Sequence, residues 1–411
     1  MSLRLPSVLT FRVKTRLCRI WNSSAATFRI RSSFVHLRNA LRGGPKPIRL
    51  LLVSDGGSPI SEKHFAPIFR HAHLLRNQLG VVVQHCHIHS VLQTNPRKLS
   101  QFDIIGLMLS FRTPSKEVER LVKHFRTALV GTPTKLVYFD GDDDINIQWP
   151  TILSMVDLYV KNHVFADDQA YLASYIGKSN LTDYVARNYN VSFSNDIIPS
   201  SGALDPKYLS KIRLGWNLAL GDSIVELLQR IKSVSLLERD IDISCRAGVP
   251  QNGWIDPLRS AAIGRVKAMS NRFRVIASRE RVTIDKYYEE MLRSRICVSP
   301  FGYGEICWRD FEAIACGCLL VKPDMGHLRT LPNLYIPGGT YVSVRWDYSD
   351  LEEKCAPYLL NDLERRKIAK RARQLLIASL QADWFLDRFR ELLACAGVRP
   401  QSVSTRSSDG A

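Results

Sequence analysis

Apolar residues along the chain fall into short continuous runs, the first being Ile48-Arg-Leu-Leu-Leu-Val-Ser54. A run of this kind predicts a strand buried on both faces, as in a parallel sheet. Asp55-Gly56-Gly57-Ser58 follows as a strand-to-helix turn, and helical spacing then extends to about residue 78. Further strands are expected at 81–85, 104–109 and 135–139. A second alternation begins near 241, with strands at 241–245, 273–277, 296–299 and 319–321 and helices at 254–269, 284–293 and 304–315. Strands alternating with helices predict doubly wound parallel sheets. Two of them in succession leave a cleft between domains, with ligands expected outside the carboxyl ends of the strands. From Leu351 the pattern is helical and is expected to pack back across both domains.

The predicted organisation is an extension over 1–46, a first domain over 47–200, a linker over 201–235, a second domain over 236–350, and C-terminal helices with a tail over 351–411. No apolar run approaches the roughly 18 residues that a membrane-spanning helix needs. The formal charge is +18, but ten Lys/Arg lie in residues 1–46 with no acid among them, which leaves +8 for the body. A moderately basic body suits anionic small ligands and does not by itself imply nucleic acid. Residues 5–21 read as a basic amphipathic stretch, with Leu9, Val13, Leu17 and Ile20 opposite Arg12, Arg16 and Arg19. We read it as lying on an anionic membrane surface, against a targeting peptide or a disordered tail. The nine cysteines are scattered, without a CxxC pair, which points to a reducing compartment. The expected location is therefore cytoplasmic, peripheral at the inner face of the membrane.

The densest chemistry lies between Ser299 and Lys322. A loop carrying Gly302, Tyr303 and Gly304 leads from a strand into a helix. Glycines let backbone approach a ligand, and a helix N-terminus offers free N–H groups to phosphate. On a helix starting at 304, Glu305, Arg309 and Glu312 share one face. They would bind hydroxyls and phosphate there, or form a solvated stripe with a Glu305–Arg309 pair.

The motif Gly-Tyr-Gly-Glu-x3-Arg-x2-Glu-Ala-x3-Gly resembles the donor-binding helix of GT-B glycosyltransferases, most of all the exostosin-like and CgeB-like branch. The resemblance implies an α/β fold of two Rossmann-like domains facing a cleft. It also implies transfer of a sugar from a nucleotide-sugar donor to a glycan or lipid-linked acceptor, as in polysaccharide biosynthesis. Glu312, the acid before Ala, would bind the donor ribose, and the preceding loop the diphosphate and sugar. Glu305 departs from the family spacing, with six residues between it and Glu312 in place of seven. Arg246, after the strand at 241–245, is a second phosphate candidate, followed by Arg279 and Lys322. No cofactor is implied, and the diphosphate would be stabilised without metal.

Asp140-Gly-Asp142-Asp143-Asp144 follows the strand at 135–139. One of Asp140, Asp142 and Asp143 would serve as the base that takes the acceptor proton. The opposing reading is a GT-A-type enzyme in which Asp140–Asp143 hold a divalent metal through oxygen ligands. A simple turn cluster is the third. His85, His87 and His89 alternate at strand spacing without completing a metal pattern. Asp55 is a further acceptor-side candidate. A nicotinamide oxidoreductase lacks its GxGxxG after either opening strand. A non-enzymatic nucleic-acid or membrane binder would rest on residues 1–46 alone.

Overall fold

The computed structural model describes residues 46–56, 63–93, 95–193, 202–231, 234, 238–248 and 253–400. The amphipathic stretch 5–21, with all that is expected of it at a membrane, lies outside the described residues, as do positions 57 and 58 of the first turn.

The first sheet contains β1 (Ile48–Ser54), β2 (Val81–His87), β3 (Ile104–Met108), β4 (Lys135–Asp140), β5 (Leu158–Lys161) and β7 (Ile212–Leu214). Their order is β2-β1-β3-β4-β5-β7, and every pairing is parallel. The short β6 (His163–Phe165) stands outside this sheet. The second sheet contains β8 (Ile241–Arg246), β9 (Val275–Ser278), β10 (Ser294–Val298), β11 (Leu319–Pro323) and β13 (Val342–Val344). It runs β13-β11-β10-β8-β9, again all parallel. Counted within each sheet, the first follows the order 2-1-3-4-5-6 and the second 2-1-3-4-5, the doubly wound arrangement expected from the alternating pattern. In each, the chain reverses direction of winding between its first and third strands.

Helices of eight residues or more are α1 (Ala72–Leu79), α2 (Ser115–Ala128), α3 (Asn180–Tyr189), α4 (Asp222–Arg230), α5 (Asp256–Ala268), α6 (Ile284–Arg293), α7 (Trp308–Ala315), α8 (Leu351–Leu360), α9 (Asp362–Ser379) and α10 (Ala382–Cys395). Strand side chains alternate between faces, and each face of the first sheet is covered. Leu50, Leu52, Val137 and Phe139 pack with Leu75 and Leu79 of α1 and with Phe385, Phe389 and Leu393 of α10. Leu51, Val53, Leu136 and Tyr138 pack on the other side with Val118, Val122 and Phe125 of α2. In the second sheet Ile243, Ile296, Val298 and Val321 bury against Ile263 and Val266 of α5, Leu351 and Cys355 of α8, and Ile368 of α9. The C-terminal helices therefore serve both halves: α8 and α9 cover the second sheet, and α10 returns to the first.

Three features hold the halves together. β6 pairs antiparallel with β12 (Leu328–Thr330), linking the end of the first sheet to the loop beyond β11. The Asn217 Nδ2 donates to Thr330 Oγ1 at 2.8 Å and to the Pro332 carbonyl at 3.0 Å. At Gly304 a Cβ atom would lie 1.5 Å from the Asp143 carbonyl oxygen, so no other residue fits this crossing. β7 falls within the stretch expected as linker, and its pairing with β5 carries the first sheet beyond residue 200.

Asp140 ends β4 inside the protein and binds Lys161 Nζ at 2.9 Å, with both side chains essentially sealed from solvent. The Tyr159 hydroxyl donates to the same carboxylate oxygen at 2.7 Å. Burial opposes the Asp140 charge, but Lys161 outweighs it and holds the carboxyl below its ordinary range. Asp140→Ala strands Lys161 without a counter-charge, so stability should fall by about 3–5 kcal/mol in urea melts.

Candidate active site

The glycine loop leaves β10 at the second sheet's switch point, next to β8. That is where an open α/β sheet binds its ligand. A cavity of about 300 Å³ lies there, between the two halves. Its second-domain wall is Gly302, Tyr303, Arg246, Arg259 and α7, and its first-domain wall is Asp143 and Leu218.

Helix α7 starts at Trp308, four residues later than expected, because of how its first turn is capped. The Cys307 N–H donates to Asp310 Oδ2 at 3.0 Å, closing that turn. Asp310 is itself buried and held by Lys322 Nζ at 3.1 Å, by the Ser299 hydroxyl at 2.5 Å and by the Tyr335 hydroxyl at 2.7 Å. This network anchors both ends of the loop 299–307. It also corrects Lys322 as a phosphate candidate, since its ammonium is buried behind the loop on Asp310.

Glu305 consequently sits in the loop and not on the helix face with Arg309. It is fully buried, with Oε2 at 3.4 Å from His163 Nε2 and Oε1 at 3.6 Å from His327 Nε2. Burial raises its pKa, yet the two histidines outweigh that and bring it down to about 2. It does not line the cavity, and the Glu305–Arg309 pair does not form. Gly304, next to it, makes room for the Asp143 backbone and not for a ligand.

Arg309 and Glu312 both face the cavity, one helical turn apart on α7. The Glu312 oxygens accept from the Tyr287 hydroxyl at 2.8 Å and the Tyr288 hydroxyl at 2.9 Å, which fixes the carboxylate in one orientation. The hydrogen bond of the Arg309 side chain among the described residues goes to the Pro300 carbonyl, at 3.4 Å. Arg259, which the sequence reading did not single out, projects from α5 to the same place. It donates to the Phe301 carbonyl at 3.1 Å and to the Gly248 carbonyl. Neither arginine has a carboxylate partner among the described residues. Arg246 is different, since it is paired with Glu290, Nη2 to Oε1 at 2.8 Å. Arg279, the weaker candidate, bonds Ser260 and lies 3.3 Å from Asp256.

The four aspartates after β4 diverge. Asp140 is on Lys161, Asp142 is 2.9 Å from Lys178 Nζ, and Asp144 accepts from the Ser179 hydroxyl at 3.0 Å and from the Asn146 N–H at 2.8 Å. Only the Asp143 carboxylate has no hydrogen bond or ion pair among the described residues, and only Asp143 lines the cavity. Burial, and then the neighbouring Asp142, raise its pKa to about 7. The group of His85, His87 and His89 also separates. His85 is 3.0 Å from Ser54 Oγ, and His87 is 2.7 Å from the Asp55 carbonyl. His89 lies in the helical turn beyond the strand, stacked on His87. Asp55 accepts from the Ser110 N–H at 2.7 Å and the Thr113 hydroxyl at 3.1 Å, which ties β1 to the loop after β3. No three His, Cys, Asp or Glu side chains gather as a metal site among the described residues. None of the described helices is long and apolar enough to cross a membrane.

Among solved structures, a glycosyltransferase from Rickettsia africae is similar at 13% identity, covering 85% of this chain and 99% of that one with a TM-score of 0.45. Sucrose-phosphate synthase from Thermosynechococcus elongatus is 12% identical over 84% and 98%, at a TM-score of 0.42. The UDP-forming α,α-trehalose-phosphate synthase from Burkholderia vietnamiensis is 10% identical over 85% and 100%, also at 0.42. No curated protein matches the sequence. Residues 241–393 match the family model described as Glycosyl transferase-like. That match opens on the first residue of β8 and takes in every second-domain residue lining the cavity, and it supports a glycosyltransferase.

Proposed function

We propose that the chain transfers a sugar from a nucleotide-sugar donor bound in the cavity to a hydroxyl of a glycan or lipid-linked acceptor. The observation that carries this reading is a cavity with two arginines, Arg259 and Arg309, that lack carboxylate partners among the described residues, opposite the Asp143 carboxylate, which has no hydrogen bond or ion pair among them. Unpaired guanidinium groups beside a glycine loop suit a diphosphate, which presents oxygens to planar donors. Glu312, held by two tyrosines, suits the ribose hydroxyls. As the acceptor oxygen attacks the anomeric carbon, Asp143 takes its proton, and the bond from that carbon to the diphosphate oxygen breaks. The charge left on the diphosphate falls beside Arg259, Arg309 and the start of α7. On this reading the leaving group is stabilised by cations of the protein and not by a divalent metal. The exostosin-like or CgeB-like branch is a finer proposal, resting on the loop-and-helix motif alone.

The test is a panel of nucleotide sugars with calorimetry and product analysis on the full chain. Donor hydrolysis or transfer should appear with one nucleotide and persist in EDTA. No turnover and no nucleotide diphosphate binding would overturn the enzyme reading. Activity lost in EDTA and restored by Mn²⁺ would move the site to a metal-dependent mechanism.

A further inference from the structure

A second cavity, of about 230 Å³, adjoins the first, and Arg246 and Tyr287 line both. Tyr287 also holds Glu312. A ribose on Glu312 therefore has this second cavity beside it. Its walls are apolar at Val282 and Ile284, and Ile284 is 43% exposed. Flat apolar contact of this kind suits an aromatic base.

The rim carries two consecutive charged side chains, Glu280 and Arg281. The Glu280 backbone is pinned, its N–H donating to Ser278 Oγ at 3.0 Å and its carbonyl accepting from Arg246 Nη1 at 3.3 Å. The Glu280 carboxylate and the Arg281 guanidinium make no ion pair among the described residues. Arg281 passes over Gly248, where a Cβ would be 3.6 Å from its Nε.

Resting on the donor-site reading above, we infer that Glu280 and Arg281 select guanine as the base of the donor. A carboxylate is acceptor-only and binds two adjacent donors best. Guanine presents two such donors side by side, N1–H and the N2 amino group, with the O6 acceptor next to them for Arg281. That makes three complementary bonds. Uracil offers one N–H between two carbonyls, so the second carboxylate oxygen faces a carbonyl oxygen. Adenine offers one amino donor and one ring acceptor, which makes two bonds. A site built to bond such groups rejects a base lacking them.

The experiment titrates the full chain with GDP, UDP and ADP in a calorimeter, in wild type and in Glu280→Gln. GDP should bind roughly ten- to a hundredfold tighter than UDP or ADP, the range expected for a paired hydrogen-bond readout of one base. Glu280→Gln places an amide donor against the guanine donors, so it should lower GDP affinity by a similar factor and leave UDP affinity unchanged. UDP or ADP binding as tightly as GDP would overturn the guanine assignment while leaving the donor site standing. An equal loss for all three nucleotides in Glu280→Gln would overturn it too, because that marks a general structural role. Absence of binding by any of them would overturn the donor-site reading itself.

Discussion

Arg309→Met should weaken nucleotide diphosphate binding by about thirtyfold or more, without lowering the stability of the unliganded protein. The affinity loss follows from removing a charge-assisted contact to phosphate, a truncation that costs about 2 kcal/mol or more. The stability expectation follows from what surrounds the side chain. Arg309 touches the Pro300 carbonyl and has no carboxylate partner among the described residues, so its loss leaves no buried acid uncompensated. Methionine keeps much of the stem's volume and removes a cation that is partly desolvated. A variant that binds GDP, UDP and ADP as wild type does would remove Arg309 from the site. A variant that unfolds at markedly lower urea would instead make it a structural arginine. Calorimetry and a urea melt on the same preparation separate the two.

Asp143→Asn should lower kcat by roughly a hundred- to ten-thousandfold, the usual contribution of a positioned base, while donor affinity stays near wild type. The pH dependence gives an independent reading. With a pKa raised to about 7 by burial and by Asp142, Asp143 acts as a base only when ionised. The wild-type rate should therefore climb with pH and level off above about 7, and the asparagine variant should lack that rise. Stability should move the opposite way. The folded pKa lies above the ordinary value of 3.8, so the folded protein holds this proton more tightly than the unfolded chain does. The resulting stabilisation is complete below the unfolded value and is lost as pH rises through the folded one. Wild type should accordingly lose stability relative to Asp143→Asn between about pH 4 and pH 7, by thermal melts. A kcat within a few-fold of wild type, with an unchanged pH profile, would show that the base lies elsewhere.

How far the site could be read before folding depended on the kind of residue. Gly302, Arg309 and Glu312 stand in one short segment, and helical spacing alone puts the last two on a common face. That expectation needed only the 100° turn of a helix, and the cavity contains both. Glu305 followed the same rule and fails it, because the helix does not begin where its spacing suggested. Asp310 caps the turn at Cys307, and Gly304 is occupied by the crossing with Asp143, so residues 304–307 are held as a loop. Neither constraint is visible locally, since one partner lies far away in sequence and cysteine is not a residue that announces a cap. Arg259 went unnoticed for a related reason: it is an ordinary arginine on a helix until α5 is laid against the glycine loop.

The alternation of apolar runs and helical spacing was enough to specify two doubly wound sheets, because burial on both faces and the periods of strand and helix are properties of each segment alone. The location of the rich motif at a strand's carboxyl end followed from the same pattern. Folding decided which charged groups in the segment from Ser299 to Lys322, and in the aspartate run after β4, were left without charged partners among the described residues. Lys322, Asp140, Asp142 and Asp144 were each drawn into an ion pair or hydrogen bond with a residue from another part of the chain, and Glu305 was buried beside His163 and His327. Arg309, Arg259 and Asp143 were left facing one cavity. Charge type is written in the sequence, but whether a charge is neutralised depends on long-range neighbours, and only packing supplies those.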